Sequence, residues 1–181
     1  MTYLTSNVKN LKKFYIPIAI LFLFAICTEL YGDIIITTND GIRLWNTGLK
    51  WFSIGVGYPF PIYIFFAIWN FPLWIIDKLS VFNLSATTNP IPWIWAKGIC
   101  LCFVLIDGKL IYNLCKKALK LDEEKSLTAM LIFLTSLTTI VPAMVIAQYE
   151  CIPLCFNLLG ITAYLKDDKK KFYIYTIEYL I

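Results

Sequence analysis

The chain has 181 residues, 59% of them apolar and 15% charged, with a net charge of +4, six cysteines and no histidine. Soluble domains of this size carry about a quarter charged residues, so this composition, with a mean hydropathy of +0.70, points to a chain that lives in a bilayer. It excludes Ser-His and Cys-His catalysis and leaves a zinc ion only Cys and carboxylate ligands. The basic residues gather in juxtamembrane clusters rather than on a helix face or stacking platform, so nucleic acid is not expected as a partner.

Lys9, Lys12 and Lys13 precede the apolar run Phe14 to Cys27, the order of a secretory signal. No small-x-small cleavage site follows in Ile26-Cys27-Thr28-Glu29-Leu30, so the run reads as an uncleaved first transmembrane helix over residues 14–31, N-terminus cytoplasmic. A polar stretch, Gly32 to Asp40, comes next. Then Ile42, Trp45, Leu49 and Phe52 recur at helical spacing, with Arg43, Asn46 and Lys50 off that face. Capped by Asn39 or Asp40, this is a short amphipathic helix in the membrane interface, with a polar loop as the alternative.

Tyr58 to Ile76 is long and apolar but holds Pro59, Pro61, Asn70 and Pro72, which break helical hydrogen bonding. Residues 93–115 form a second long segment. Asp107-Gly108-Lys109 interrupts it and reads as a bend at the glycine, with Lys109 snorkelling to the inner side. Residues 127–147, with Pro142 near the end, form a third, 149–165 a fourth, and 172–181 begin a fifth. The cysteines, at 27, 100, 102, 115, 151 and 155, form no CxxC and read as small apolar packing residues.

Cation placement fixes an expected topology. Eleven of the sixteen Lys and Arg fall into three clusters, at Lys9–Lys13, Lys116–Lys125 and Lys166–Lys171. Cytoplasmic loops collect such residues. If residues 58–76 cross fully, the second and third clusters fall outside. If they stay on the outer side as an interfacial or re-entrant segment, all three lie inside, and only Arg43, Lys50, Lys78 and Lys97 remain outside. All six tryptophans lie between residues 45 and 95, and tryptophan concentrates at the membrane–water boundary. The expected fold is an all-α integral membrane protein. It is one domain over 1–181, a multi-span helical bundle of four full spans and the start of a fifth, with an outer interfacial region at about 33–90.

That topology gathers Glu29, Asp33 and Glu150 near the outer face. Glu29 and Asp33 are four apart and share a helix face, and two carboxylates from separate turns are the minimum for general-base chemistry. Arg43, Lys50, Lys78 and Lys97 stand opposite, suited to an anionic group such as phosphate. Each of these residues also has a plain reading as a solvated loop charge.

Ala147-Gln148-Tyr149-Glu150, after Ile140-Val141-Pro142 and before the leucine-rich run from Leu158 to Lys166, resembles a passage of the polytopic type C glycosyltransferases. In their GPI-mannosyltransferase-like branch it reads Gly-Gln-Tyr-Asp. Tyr58-Pro59-Phe60-Pro61 is similar to the Tyr-Pro-Pro segment of that family, here split by Phe60, and Gly32-Asp33 stands where the family keeps its first-loop acid. The run Phe66 to Trp74 also resembles membrane proteins of low-GC Gram-positive bacteria. The resemblance implies sugar transfer from a polyprenyl-phosphate-linked donor at the outer face. Asp33 would be the general base, Glu150 would position the acceptor or a divalent metal, and Gln148 and Tyr149 would contact substrate. Arg43, Lys78 and Lys97 would stabilise the departing phosphate. Such enzymes usually have eight or more spans, so the chain is expected to be the N-terminal part of a longer one. The alternative function is non-catalytic: a small membrane subunit, a lipid-linked-sugar carrier or an inert remnant.

Overall fold

The computed structural model describes residues 10–28, 32–48, 59–76 and 90–180, the side chains of residues 90 and 177–180 excepted. Among those residues the protein is all-α, with nine α-helices and two π-helical turns.

Helix α1 (Tyr15–Ile26) takes Pro17 in its first turn, where no intrahelical N–H is lost. Ile18, Phe22 and Ala25 recur at helical spacing and are buried. Helix α2 (Gly32–Thr47) begins eight or nine residues earlier than a cap at Asn39 or Asp40 implies. Asp33 lies in its first turn, where the helix dipole favours a carboxylate. Thr37 turns its hydroxyl back to the Asp33 carbonyl at 2.9 Å, which lets a polar stretch continue as helix. Asn39 and Asp40 are therefore mid-helix residues, not caps.

Helices α3 (Phe60–Trp69) and α4 (Phe71–Ile76) divide the proline-rich segment. The break falls at Asn70, whose side chain donates to the Phe66 carbonyl at 2.9 Å. Neither approaches the ~20 residues of a bilayer crossing. Helix α3 buries Ile62, Tyr63, Phe66 and Ala67, and its Phe65 ring meets Phe103 and Phe156. Gly41 is what lets α2 lie on it, since a Cβ there would come within 2.8 Å of the Ala67 backbone nitrogen. Four tryptophans fasten this corner. Trp45 donates to the Ala67 carbonyl and Trp74 to the Asn46 side chain. Trp69 and Trp95 stack at 5.2 Å, each donating to the other's carbonyl.

Helix α5 (Pro90–Asn113) has 24 residues, about 36 Å at the α-helical rise. It runs through Asp107-Gly108-Lys109 unbroken, which corrects the expected bend. The glycine serves close approach instead: a Cβ on Gly108 would stand 2.9 Å from a Leu134 methyl. The irregular turn comes later, as π1 (Leu114–Ala118). Helix α6 (Glu123–Thr135) starts at Asp122, which accepts from the Lys125 N–H at 2.8 Å. Ser136 is extended and caps the short α7 (Leu137–Ile140), and π2 (Val141–Ile146) follows. Residues 127–147 are thus bent by 52° at Ser136 rather than continuous. Helix α8 (Cys151–Tyr164) and helix α9 (Lys169–Leu180) complete the described chain.

Among the described residues no single helix is long and apolar enough to cross a membrane; the bent pair α6 with α7–π2 meets that length and hydropathy together. Helix α5 has the length but carries Lys97, Asp107 and Lys109. Helices α1 and α8, at 12 and 14 residues, fall short of the complete crossings expected from hydropathy.

Contacts order the bundle end to end. The Cys100 and Cys151 thiols meet, and Asp107 stands beside Cys155, so α5 and α8 run parallel. Tyr112 and Lys116 meet Glu123 while Lys97 meets Val145, so α6–π2 returns antiparallel to α5. Lys12 lies within electrostatic reach of Glu123. One end therefore holds the Lys12, Lys116 and Lys166–Lys171 regions, and the other holds Thr28, Asp33, Lys97 and Gln148.

Candidate functional site

The site is built where π2 ends. Pro142 has no N–H, and the backbone from Val141 to Ile146 is wound as a π-turn instead of an α-helix. Its end is Ala147, in the left-handed region at φ 59°, ψ 44°, and the Gln148 N–H closes the turn on the Pro142 carbonyl at 2.8 Å. This reversal carries Gln148 to α2, where its side-chain amide donates to Asp33 Oδ2 at 3.3 Å, across 115 residues of sequence. The Tyr149 phenol feels both the Glu150 and the Asp33 carboxylates. Glu150 is exposed and immediately precedes α8. Asp33 and Glu150 thus both stand at helix N-termini, where fixed N–H dipoles favour negative charge.

Beneath them lies Lys97, fully buried. Its ammonium donates to the Thr28 carbonyl (3.0 Å), the Thr28 hydroxyl (3.0 Å) and the Val145 carbonyl (3.2 Å). Thr28 precedes Asp33 by five residues and Val145 precedes Gln148 by three. Lys97 therefore braces the two chain segments whose side chains meet above it. The Cys100 thiol, one turn further along α5, adds a weaker contact to the Gln148 carbonyl at 3.6 Å.

Of the residues nominated from the sequence, Asp33, Gln148, Tyr149 and Glu150 lie together. Of the nominated cations, the two among the described residues, Lys97 and Arg43, are placed away from an anion-binding set at this site. Lys97 spends its donors inside the protein. Arg43 lies ten residues beyond Asp33 on α2, about 15 Å along the axis, exposed and 3.9 Å from Asp40. Burial raises the Asp40 carboxyl above its ordinary value, and Arg43 partly offsets this. Lys50, Lys78, Glu29 and Tyr58 lie outside the described residues.

A cleft of about 90 Å³ between Gln148, Glu150, Thr138 and Thr139 opens on the site. It is smaller than the ~300–1,000 Å³ of small-molecule pockets. Among the described residues no three His, Cys, Asp or Glu side chains group so as to hold a metal ion.

Asp107 was read from the sequence as part of a bend. It is instead fully buried, and among the described residues only the weakly donating Cys155 thiol stands beside its carboxyl. All six cysteines are free thiols, four of them buried. The signal for both buried charges was their position within an apolar run, where an ionisable residue demands a partner or a purpose.

Comparison with family models, with curated proteins and with solved structures finds no match to this chain.

Proposed function

We propose that this is a multi-pass membrane protein whose Asp33–Gln148–Tyr149–Glu150 end is the acidic site of a sugar-transfer reaction of the polytopic type C kind. Membrane placement is supported by large apolar side chains held outward, with Phe24 and Leu137 each 74% exposed and Ile16 70%; extended apolar surface of this kind is rare on folded monomers in water. The observation that carries the functional reading is the Gln148–Asp33 contact at 3.3 Å, which joins the two motifs that resemble that family.

In this reading the acceptor hydroxyl oxygen attacks the anomeric carbon of a polyprenyl-phosphate-linked sugar. The bond from that carbon to the phosphate oxygen breaks, polyprenyl phosphate leaves, and Asp33 takes the hydroxyl proton. Gln148 fixes the Asp33 carboxylate and Glu150 orients the acceptor. No step is assigned to a metal. Ala147 occupies the left-handed position where the motif it resembles carries glycine, the residue that adopts that conformation without a Cβ penalty.

The small cleft at Glu150 favours a second reading, in which the same cluster is a non-catalytic structural cap. The test uses the full chain in membrane vesicles supplied with radiolabelled polyprenyl-phosphate hexoses. Asp33→Asn should lower transfer about 100-fold or more, the scale of a lost general base. Undiminished transfer by Asp33→Asn would remove the base role. Absence of turnover by the unaltered chain, with Asp33→Asn accumulating as well as it does, would favour the structural cap.

A further inference from the structure

Along the bundle, toward the end opposite Asp33, α1, α5 and α6 line a groove of about 550 Å³. Ile18, Phe22, Leu101, Leu105, Met130 and Leu134 wall it, and the ionisable groups on its lining are Tyr15 and Lys109. Both belong to one end. The Lys109 ammonium lies 4.8 Å over the Tyr112 ring, and Tyr15 is within electrostatic reach of Tyr112 and Glu123. Lys116 lies over the same ring at 5.4 Å, and Lys12 reaches Glu123.

Charge at this mouth is unbalanced. Lys12 and Lys116 both act on one carboxylate, Glu123, while Lys109 lies over the ring of Tyr112. That carboxylate is already engaged by Lys116 and by the Tyr112 hydroxyl. Among the described residues Lys109 meets no carboxylate; its contact is an aromatic face, which holds a cation without neutralising it. The result is a long apolar slot with an uncompensated cationic, hydroxyl-bearing end.

We infer that this groove binds an anionic phospholipid of the phosphatidylglycerol class, with one acyl chain along the slot and the phosphate at Lys109, Lys12 and Tyr15. The volume, about 550 Å³, suffices for one alkyl chain, and the wall residues Leu23 and Leu105 are 62% and 49% exposed, so the groove opens sideways, toward where lipid would lie. Basic pockets between membrane helices on the cytoplasmic side bind anionic head groups by this combination. The charged end of the groove is separate from the acidic site. Lys109 is twelve residues beyond Lys97 on the same unbroken helix, about 18 Å along the axis. The inference rests on the membrane placement proposed above and not on sugar transfer.

The test is native mass spectrometry of the full chain released from neutral detergent, titrated with phosphatidylglycerol or with phosphatidylcholine of the same acyl chains. Phosphatidylglycerol should be retained at least tenfold better. Lys109→Gln should abolish that preference, bringing phosphatidylglycerol retention down to that of phosphatidylcholine. Ala19→Phe, which fills the slot and spares the lysines, should reduce retention of both lipids. Glycerol phosphate alone at millimolar concentration should not displace the lipid. Equal retention of the two lipids, an undiminished preference in Lys109→Gln, displacement by glycerol phosphate, or tighter retention of polyprenyl phosphate would each overturn the inference. Circular dichroism of both variants in detergent checks that they fold. Alkaline extraction separates the two failures: a chain that leaves the membrane in carbonate sinks the membrane placement, whereas a chain that stays but shows no lipid preference sinks only the groove.

Discussion

Lys97 and Asp107 lie ten residues apart on one straight helix, and both are fully buried. The protein treats them in opposite ways. Around Lys97 it arranges two carbonyls and a hydroxyl from two other segments, within 3.0–3.2 Å. Beside Asp107 it sets only the Cys155 thiol, a weak donor, and no nitrogen or hydroxyl donor among the described residues reaches either oxygen. A buried charge with a full set of ligands is a brace; a buried carboxyl without them is a cost the fold carries for another reason or relieves by protonation.

The comparison breaks first at Lys97. Lys97→Met keeps most of the side-chain volume but strips three acceptors of their donor. It should destabilise the protein by about 3 kcal/mol, the scale of lost hydrogen bonds to a charged group with buried partners left unmet. Thermal unfolding in detergent reads this directly, and an unchanged midpoint would mean that the brace carries no load. Asp107→Leu should move the other way. It replaces an unmet buried carboxyl by an apolar group of similar size and should raise stability by about 2 kcal/mol. A fall in the midpoint would reveal a partner for Asp107. The smallest effect concerns the turn that the Lys97 brace supports. Ala147→Gly should stabilise by about 0.5–1 kcal/mol, since relief of the left-handed Cβ clash exceeds the entropy glycine adds to the unfolded chain. The Lys97→Met background should blunt that gain, because the turn is then less firmly held.

Much of the candidate site was legible. Asp33 and Gln148 to Glu150 stand at the edges of apolar runs, and hydropathy alone locates such edges. Their cationic partners were not legible. Arg43 and Lys97 were assigned by which side of the membrane their loops should occupy, which ignores what a long side chain meets once packed. The start of α2 was missed because Asp33, Thr37 and Thr38 read as loop chemistry until the threonine hydroxyl is seen bonding back to the helix.

By itself the sequence determined the helical class and the approximate place of most helices, because apolar runs and proline breaks act within a few residues of themselves. Only the tertiary structure decided that α5 passes straight through Gly108, that residues 127–147 bend at Ser136, that Lys97 faces inward, and that Gln148 reaches Asp33. Each of those outcomes depends on atoms from distant segments satisfying one another or fitting a gap, and no local pattern encodes which distant atoms will be there.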